Sequence, residues 1–219
     1  MRAVIFANGH YENLEVYRSL VRDGDLLVCA DGGANTAVRL GLRPSAVVGD
    51  LDSADPGVIE RLQADGVKIE RHPAEKDATD LELALDYAVR SGADGIIVCG
   101  ALGGRIDQEL ANIGLLLSAR MAGVSCRIME SACEIFVMRR YGSIKGNPGD
   151  TVSLLPVGQA AEGTTLSGFK YPLVDRELSL GTTLGISNVL AREEARVEMR
   201  SGTLLVVISK GGGGANRGD

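Results

Sequence analysis

Short apolar runs alternate with amphipathic stretches from residue 2 to about residue 130. The runs are Ala3-Val4-Ile5-Phe6, Leu26-Leu27-Val28-Cys29, Ala46-Val47-Val48, Val67-Lys68-Ile69, Ile96-Ile97-Val98-Cys99 and Cys126-Arg127-Ile128. Runs this short and this apolar predict strands covered on both faces, and their alternation with helical patterns predicts repeated βαβ units on a parallel sheet. Two of the intervening helices are legible in detail. Over Thr79 to Ser91, residues Leu81, Ala84, Leu85 and Ala88 fall at i, i+3, i+4 and i+7 and form one apolar stripe. Thr79 and Glu82 have the spacing of a capping box, which sets where that helix starts. In the next helix Ile106, Leu110, Ile113, Gly114 and Leu117 repeat the helical period, with Gly123 near its end. Both helices are expected to pack against the sheet.

The rhythm changes after about residue 130. Glu134 to Met138, Thr151 to Leu155 and Arg196 to Arg200 are strand-like segments separated by Gly, Pro and Asn turns, with no long helical pattern. Ser201-Gly202 reads as a hairpin turn joining Arg196–Arg200 to a second strand over Leu204 to Ile208. The expected organisation is an α/β domain over residues 1–130, an all-β domain over 131–210 and a disordered, glycine-rich tail over 211–219.

With 219 residues, 45% of them hydrophobic and 24% charged, the chain can build its cores without covalent staples. Its four cysteines, Cys29, Cys99, Cys126 and Cys133, lie far apart without zinc spacing and read as free thiols in a reducing compartment. The apolar start, Ala3 to Ala7, is too short for a signal peptide, and no stretch reaches the ~18 apolar residues that span a bilayer. A cytoplasmic protein with no membrane partner is expected. A net charge of −6 without a basic cluster argues against nucleic acid as a partner, since neutralising a phosphate backbone takes clustered Lys and Arg.

The positions of the acids change the picture. In an open parallel sheet, ligands bind beyond the carboxyl ends of the strands. Asp31 follows the second run, and Asp50 and Asp52 follow the third. Asp77 and Asp80 lie beside Thr79 at the start of its helix, and Asp107 opens the helix after Gly103-Gly104-Arg105. Acids from four segments are thus expected at one edge. Two such charges repel by about 4 kcal/mol at 4 Å and an effective dielectric of 20, which asks for a cation. A hard divalent ion such as magnesium takes carboxylate oxygens together with the phosphate oxygens of a substrate. Beside the acids, Gly32-Gly33 and Gly103-Gly104 can turn backbone N–H groups toward an anion, Arg105 can grip phosphate bidentately, and Lys76 can act as a point charge.

Each element also has a plainer reading. An aspartate after a strand is often a turn former or a cap, Gly-Gly is often a tight turn, and an arginine is commonly a solvated surface charge. Neither glycine pair matches the GxxxxGK[ST] phosphate loop. Asp55, before Pro56, reads as the N-cap of the following helix. His10 and His72 have neither metal nor triad spacing, and no Ser-His-Asp or Cys-His arrangement points to covalent catalysis. The joint placement of the acids is what favours a metal and phosphate site.

Five motifs, taken in order, resemble those of the thiamine pyrophosphokinase (thiamin diphosphokinase) family over nearly the whole chain. They are Ala30-Asp31-Gly32-Gly33-Ala34-Asn35, Gly49-Asp50-Leu51-Asp52-Ser53, Lys76-Asp77-Ala78-Thr79-Asp80, Gly103-Gly104-Arg105-Ile106-Asp107-Gln108 and, in the β-rich half, Gly185-Ile186-Ser187-Asn188. The resemblance implies a Rossmann-like α/β domain that binds ATP, a C-terminal β-sandwich that binds thiamine, and a homodimer with thiamine held between subunits. It implies transfer of the terminal pyrophosphoryl group of ATP to the hydroxyethyl oxygen of thiamine, giving thiamine diphosphate and AMP. Magnesium is then held around Asp31, Asp50, Asp52 and Asp80. Catalysis falls to Asp50, Asp52, Asp80, Arg105 and Asp107, with Asp107 orienting Arg105 or the metal's water shell. The nucleotide site comprises Asp31, Gly32, Gly33, Asn35, Lys76, Thr79, Gly103, Gly104, Arg105 and Gln108, and the thiamine contacts are Ser187 and Asn188. Many bacterial members carry His at the position of Gln108. With no tryptophan in the chain, stacking on thiamine would fall to Phe or Tyr.

Three other readings stay open at this point. A pyrophosphokinase for another heterocyclic alcohol, such as a hydroxymethylpterin, would share the ATP half. Asp50-Leu51-Asp52 also matches the DxD of a nucleotide-sugar transferase, against which the other four motifs weigh. A nucleotide-sensing module would bind ATP without turnover, against which the retained acids weigh.

Overall fold

In the computed structural model, which describes residues 1–118, 121 and 123–211, the apolar runs become strands. They are β1 (Arg2–Phe6), β2 (Leu26–Ala30), β3 (Ala46–Gly49), β4 (Lys68–Arg71), β5 (Gly95–Cys99) and β6 (Ser125–Met129). These pair in parallel in the order β6-β5-β1-β2-β3-β4. β1, β2 and β3 are buried almost throughout, as continuous apolar runs require of central strands. β4 closes one end of the order and is only partly buried along Lys68-Ile69-Glu70-Arg71, a charged composition that suits an edge. Chain order reverses at β1 and β5, since β2 to β4 run outward on one side and β5 and β6 on the other. The crevice at such a reversal is where an open parallel sheet binds its ligand.

The helices are α1 (Leu14–Leu20), α2 (Gly33–Arg39), α3 (Pro56–Ala64), α4 (Asp80–Arg90) and α5 (Ile106–Leu115). α4 follows its pattern closely. Thr79 Oγ1 accepts the Glu82 N–H at 3.2 Å, and Leu81, Ala84, Leu85 and Ala88 are buried on the face that meets β2 and β3. Asp55 caps α3 by accepting from Gly57 N–H at 2.8 Å, with Pro56 at the first helical position. α5 departs from expectation. It is helical, but none of its residues is buried, and Ile106 and Leu110 are 69% and 63% exposed. Ile113 and Leu115 are half-buried, and polar contacts add to the seat: Asn112 Nδ2 donates to Ala101 O at 2.8 Å, and Glu109 binds the preceding loop.

The chain divides into two compact units, Met1–Ser131 and Ala132–Asp219, so the fold is mixed α/β, and among the described residues the α-helices lie in the first. The second holds β7 (Cys133–Lys145), β8 (Thr151–Pro156), β9 (Ala161–Ser167), β10 (Leu173–Leu178), β11 (Asn188–Val189) and β12 (Glu194–Ser209). β12 pairs antiparallel with β7, β8 and β9, and the core includes Ile144, Leu154, Leu166, Leu190, Val197 and Val206. The expected hairpin at Ser201-Gly202 is absent, because Arg196–Arg200 and Leu204–Ile208 both belong to β12. Residues Glu194 to Glu198 pair with Lys145 to Tyr141, and Thr203 to Ser209 pair with Arg139 to Cys133. The intervening segment bulges, and Ser201 pairs with Glu162 of β9 instead. Gly202 has φ of +102°, and a Cβ there would lie 2.6 Å from Ala160 O and from Ala161 Cα. The glycine thus serves a bulge and a close backbone approach, not a reversal of the chain.

All four cysteines are free. Burial pushes the Cys29, Cys99 and Cys126 thiols up, so they pack as apolar groups. Apart from Gly211, the expected disordered tail lies outside the described residues.

Gly202→Ala is expected to destabilise the protein by about 2 kcal/mol or more, through the left-handed backbone and the β9 contact together. Urea unfolding of the variant measures this, and an unchanged midpoint would contradict the assigned bulge.

Candidate active site

Three segment ends supply the acids. Asp31 directly follows β2, Asp50 and Asp52 follow β3, and Asp80 is the first residue of α4. The backbone is bent to bring them together: Asp31 and Leu51 have φ of +45° and +66°. Left-handed conformations of non-glycine residues are strained by about 1–3 kcal/mol each and cluster where function requires them. Gly49 makes the approach possible, since a Cβ there would lie 2.9 Å from Asp80 Oδ1 and 3.2 Å from Asp31 Cβ. Carboxylate oxygens of Asp31, Asp50 and Asp52 fall within 4.8 Å of one another. Burial raises the Asp31 pKa and the neighbouring Asp80 charge adds to this, while N–H groups of Gly32 and Ser53 pull the other way.

Lys76 offsets part of this charge. Its Nζ lies 2.7 Å from Asp50 Oδ2 and 3.0 Å from Asp80 Oδ1. Hydrogen bonding from Lys76 holds the Asp50 carboxyl below its ordinary range. Burial works against the Lys76 ammonium, but Asp50 and Asp80 together keep its pKa raised. The Lys76 ammonium is therefore the charge partner of both Asp50 and the buried Asp80 Oδ1. The all-oxygen donor set of Asp31, Asp50 and Asp52, with ligand atoms within 4.8 Å of one another, fits a hard divalent cation.

Around the acids a polar frame fixes the strand-end turn. Asn35 Nδ2 donates to Ser53 O at 3.1 Å and its Oδ1 accepts Asp55 N–H at 2.9 Å. Ser53 Oγ donates to Asp52 Oδ1 at 2.8 Å, and Ser53 N–H reaches Asp31 Oδ1 at 3.3 Å. Asn35 therefore braces the turn that carries Asp50 and Asp52.

The acids form one wall of a cleft of about 320 Å³ at the β1 and β5 reversal, and the loop after β5 forms another. Of the residues expected from sequence, Asp31, Asp50, Asp52, Thr79, Asp80, Gly104, Arg105 and Gln108 line it. Gly32, Gly33, Asn35, Lys76, Gly103 and Asp107 are not part of the lining. Gly32 and Gly33 have a packing reason: a Cβ on Gly33 would come 2.0 Å from Phe6 O, and one on Gly32 would come 2.2 Å from Asn8 Oδ1. The Gly103 and Gly104 N–H groups do not stand open to an anion, because both donate to Glu109 Oε1 at 2.8 Å. Arg105 Nε donates to Asp107 Oδ1 at 3.1 Å, an exposed pair in which the hydrogen bond raises the Arg105 pKa and lowers that of Asp107. Sequence reasoning missed Asn8, Glu109 and Asn112, which all line the cleft. An acid in the first turn of α5, just after a glycine pair, is the one signal that pointed to Glu109.

In the β-rich unit, Ser187 is exposed with φ of +55°, and its N–H donates to Ser153 Oγ at 3.1 Å. Asn188 is buried, and its side chain is spent on Tyr171, accepting the N–H at 3.1 Å and donating to the carbonyl at 2.7 Å. Asn188 thus braces the segment before β10.

Comparison with known proteins adds a family to this geometry. Residues 17–128 match the family model described as thiamin pyrophosphokinase, catalytic domain, and residues 134–204 match thiamin pyrophosphokinase, vitamin B1 binding domain. A thiamine pyrophosphokinase of Bacillus subtilis is 32% identical over 186 residues, covering 84% of this chain and 87% of that protein. Thiamine pyrophosphokinase 1 of rice (Oryza sativa subsp. japonica) is 30% identical over 198 residues, covering 78% of this chain and 74% of its own. The crystal structure of the Bacillus subtilis enzyme superposes with a TM-score of 0.86 at 30% identity, covering 96% of this chain and 100% of that one.

Lys76→Met is expected to leave Asp50 and Asp80 without their cation and to destabilise the protein by about 1–2 kcal/mol, lowering Tm by roughly 2–8 °C. Thermal unfolding in buffer free of divalent cations measures this. An unchanged Tm would show that the acids need no internal counter-charge.

Proposed function

The chain belongs to the thiamin pyrophosphokinase family, and from that premise we infer that it transfers the pyrophosphoryl group of ATP to the hydroxyethyl oxygen of thiamine, releasing AMP. The observation that carries the assignment of the site is the convergence of Asp31, Asp50 and Asp52 within 4.8 Å in a cleft at the carboxyl ends of the parallel strands.

The ATP phosphates are assigned to this cleft, and Asp31, Asp50, Asp52 and Asp80 are the residues that would hold magnesium. When bound, the metal neutralises phosphate charge and lowers the barrier to phosphoryl transfer. The chain's own residues align and stabilise. Lys76, already between Asp50 and Asp80, keeps a positive charge beside the phosphates. Arg105 is exposed, so it is free to exchange Asp107 for a phosphate oxygen and grip it bidentately. Gly104 and Gln108 line the same wall. Catalysis on this reading is alignment and electrostatics rather than a covalent intermediate.

The parallel-sheet unit is read as a Rossmann-like ATP-binding domain and the β-rich unit as a sandwich that binds thiamine. Ser187 and Asn188 are the residues assigned to thiamine: exposed Ser187 can supply a polar contact directly, whereas the Asn188 side chain is already hydrogen-bonded to Tyr171. The match of residues 134–204 to a vitamin B1 binding domain favours thiamine over a pterin alcohol, and over a nucleotide sugar or mere nucleotide sensing. A homodimer belongs to the same reading, and the exposed Ile106 and Leu110 of α5 are apolar surface that an assembly would bury. So does a cytoplasmic location without a nucleic-acid partner; among the described residues no helix is long and apolar enough to cross a membrane.

An assay for AMP with ATP, magnesium and thiamine tests the reaction, and AMP formed with a pterin alcohol but not with thiamine would overturn the substrate. Asp52→Asn should lower kcat by roughly a hundredfold at saturating magnesium. Because Asp52 is exposed and its charge is repelled by Asp31 and Asp50, the variant's Tm without divalent cations should be no lower than the parent's. Undiminished AMP production by that variant would contradict its place at the metal.

A further inference from the structure

The wall opposite the acids is the loop from Gly100 to Arg105, and beneath it lies a buried carboxylate that the reaction as described does not use. Glu130 follows β6, the neighbour of β5, and is 8% exposed. Its Oε1 accepts Ala101 N–H at 2.8 Å, and its Oε2 accepts Gly100 N–H at 3.2 Å and the Tyr17 hydroxyl at 2.9 Å. Tyr17 Oη in turn accepts Ser131 N–H at 3.2 Å. Burial pushes the Glu130 pKa up, while Tyr17 and the loop amides favour its charged form. The titratable groups facing it are Tyr17 of α1, Tyr11 of the β1–α1 loop and Cys99 of β5, none of them a cation.

A buried carboxylate with no cation partner is unfavourable unless its acceptors are needed. An apolar side chain would fill the space without that penalty. It would also leave the Gly100 and Ala101 amides without their acceptor, at about 1–3 kcal/mol each. The loop has little other freedom. Gly100 has φ of +69° and packs so closely on Tyr11 that a Cβ would lie 2.2 Å from its Oη. His10 N–H donates to Leu102 O at 3.1 Å. Glu109 fixes the loop's far end through Gly103 and Gly104.

We propose that Glu130 is a positioning residue for the nucleotide: its carboxylate holds the Gly100–Arg105 loop in its working shape before ATP arrives, so Gly104, Arg105 and Gln108 form a ready wall for the phosphates. The proposal rests on the assignment of ATP to this cleft.

Glu130→Gln keeps the shape but turns one end of the side chain into a donor, so it no longer accepts from both amides. kcat/KM for ATP should fall about tenfold while KM for thiamine stays within about twofold. Tyr17→Phe, which leaves both loop acceptors in place, should keep the parent ATP kinetics. A Glu130→Gln protein that melts earlier but keeps its ATP kinetics would reduce Glu130 to a structural residue and overturn the proposal. Hydrogen exchange on the unaltered protein decides the question even if that variant fails to fold. The Gly100 and Ala101 amides should be protected like strand amides in the free protein and unchanged by magnesium with a non-hydrolysable ATP analogue. Protection gained only with the nucleotide would overturn the proposal. If the unaltered protein made no AMP from ATP and thiamine, the functional reading would fail, and exchange in the free protein would still decide whether the loop is pre-formed.

Discussion

Mutual repulsion among carboxylates at neighbouring strand ends is the constraint around which the first unit is built. Asp31, Asp50 and Asp52 share a space in which each charge raises the energy of the others. Local features that look unrelated serve this one arrangement. Gly49 removes the Cβ that would separate Asp80 from Asp31, Asp31 and Leu51 accept left-handed backbone, and Asn35 ties the turn to Asp55. Lys76 answers part of the charge from within the chain. Four carboxylates set against one lysine leave negative charge that a bound cation would offset.

The facing wall is organised by the opposite sign. There the chain turns backbone N–H groups inward, and its own anions satisfy them, Glu109 at Gly103 and Gly104 and Glu130 at Gly100 and Ala101. On the proposed function, a metal-bound polyphosphate would offer positive charge to the acids and oxygens to Arg105. Amides satisfied in this way fix the loop's shape before a ligand arrives, so the side chains it carries need not be ordered on binding.

Much of this was legible along the chain wherever one local rule dominated. Central strands announced themselves as apolar runs because a parallel sheet is covered on both faces, and α4 did so because Thr79 and its apolar stripe agree. Strand-end acids could be placed because open parallel sheets bind ligands at one edge. What stayed hidden depended on tertiary contacts. Ser201-Gly202 carries a hairpin signal, but β9 lies against Gly202 and turns it into a bulge. α5 has a helical apolar period, yet Ile106 and Leu110 at its start are exposed while Ile113 is half-buried, and Asn112 and Glu109 tie it to the loop before it. The Gly103 and Gly104 amides were legible as anion binders, but not that Glu109 already fills that role. Glu130 gave no signal, since a single acid after a strand shows nothing of the loop folded over it.

The central claim is that the acids at the ends of β2 and β3 hold the metal that carries the ATP phosphates. Anomalous diffraction from a crystal grown with Mn²⁺ and a non-hydrolysable ATP analogue tests it most directly. A manganese peak coordinated by Asp50 or Asp52, with the phosphates between those acids and Arg105, is the expected result. A nucleotide bound elsewhere, or a metal that touches none of Asp31, Asp50, Asp52 and Asp80, would contradict it.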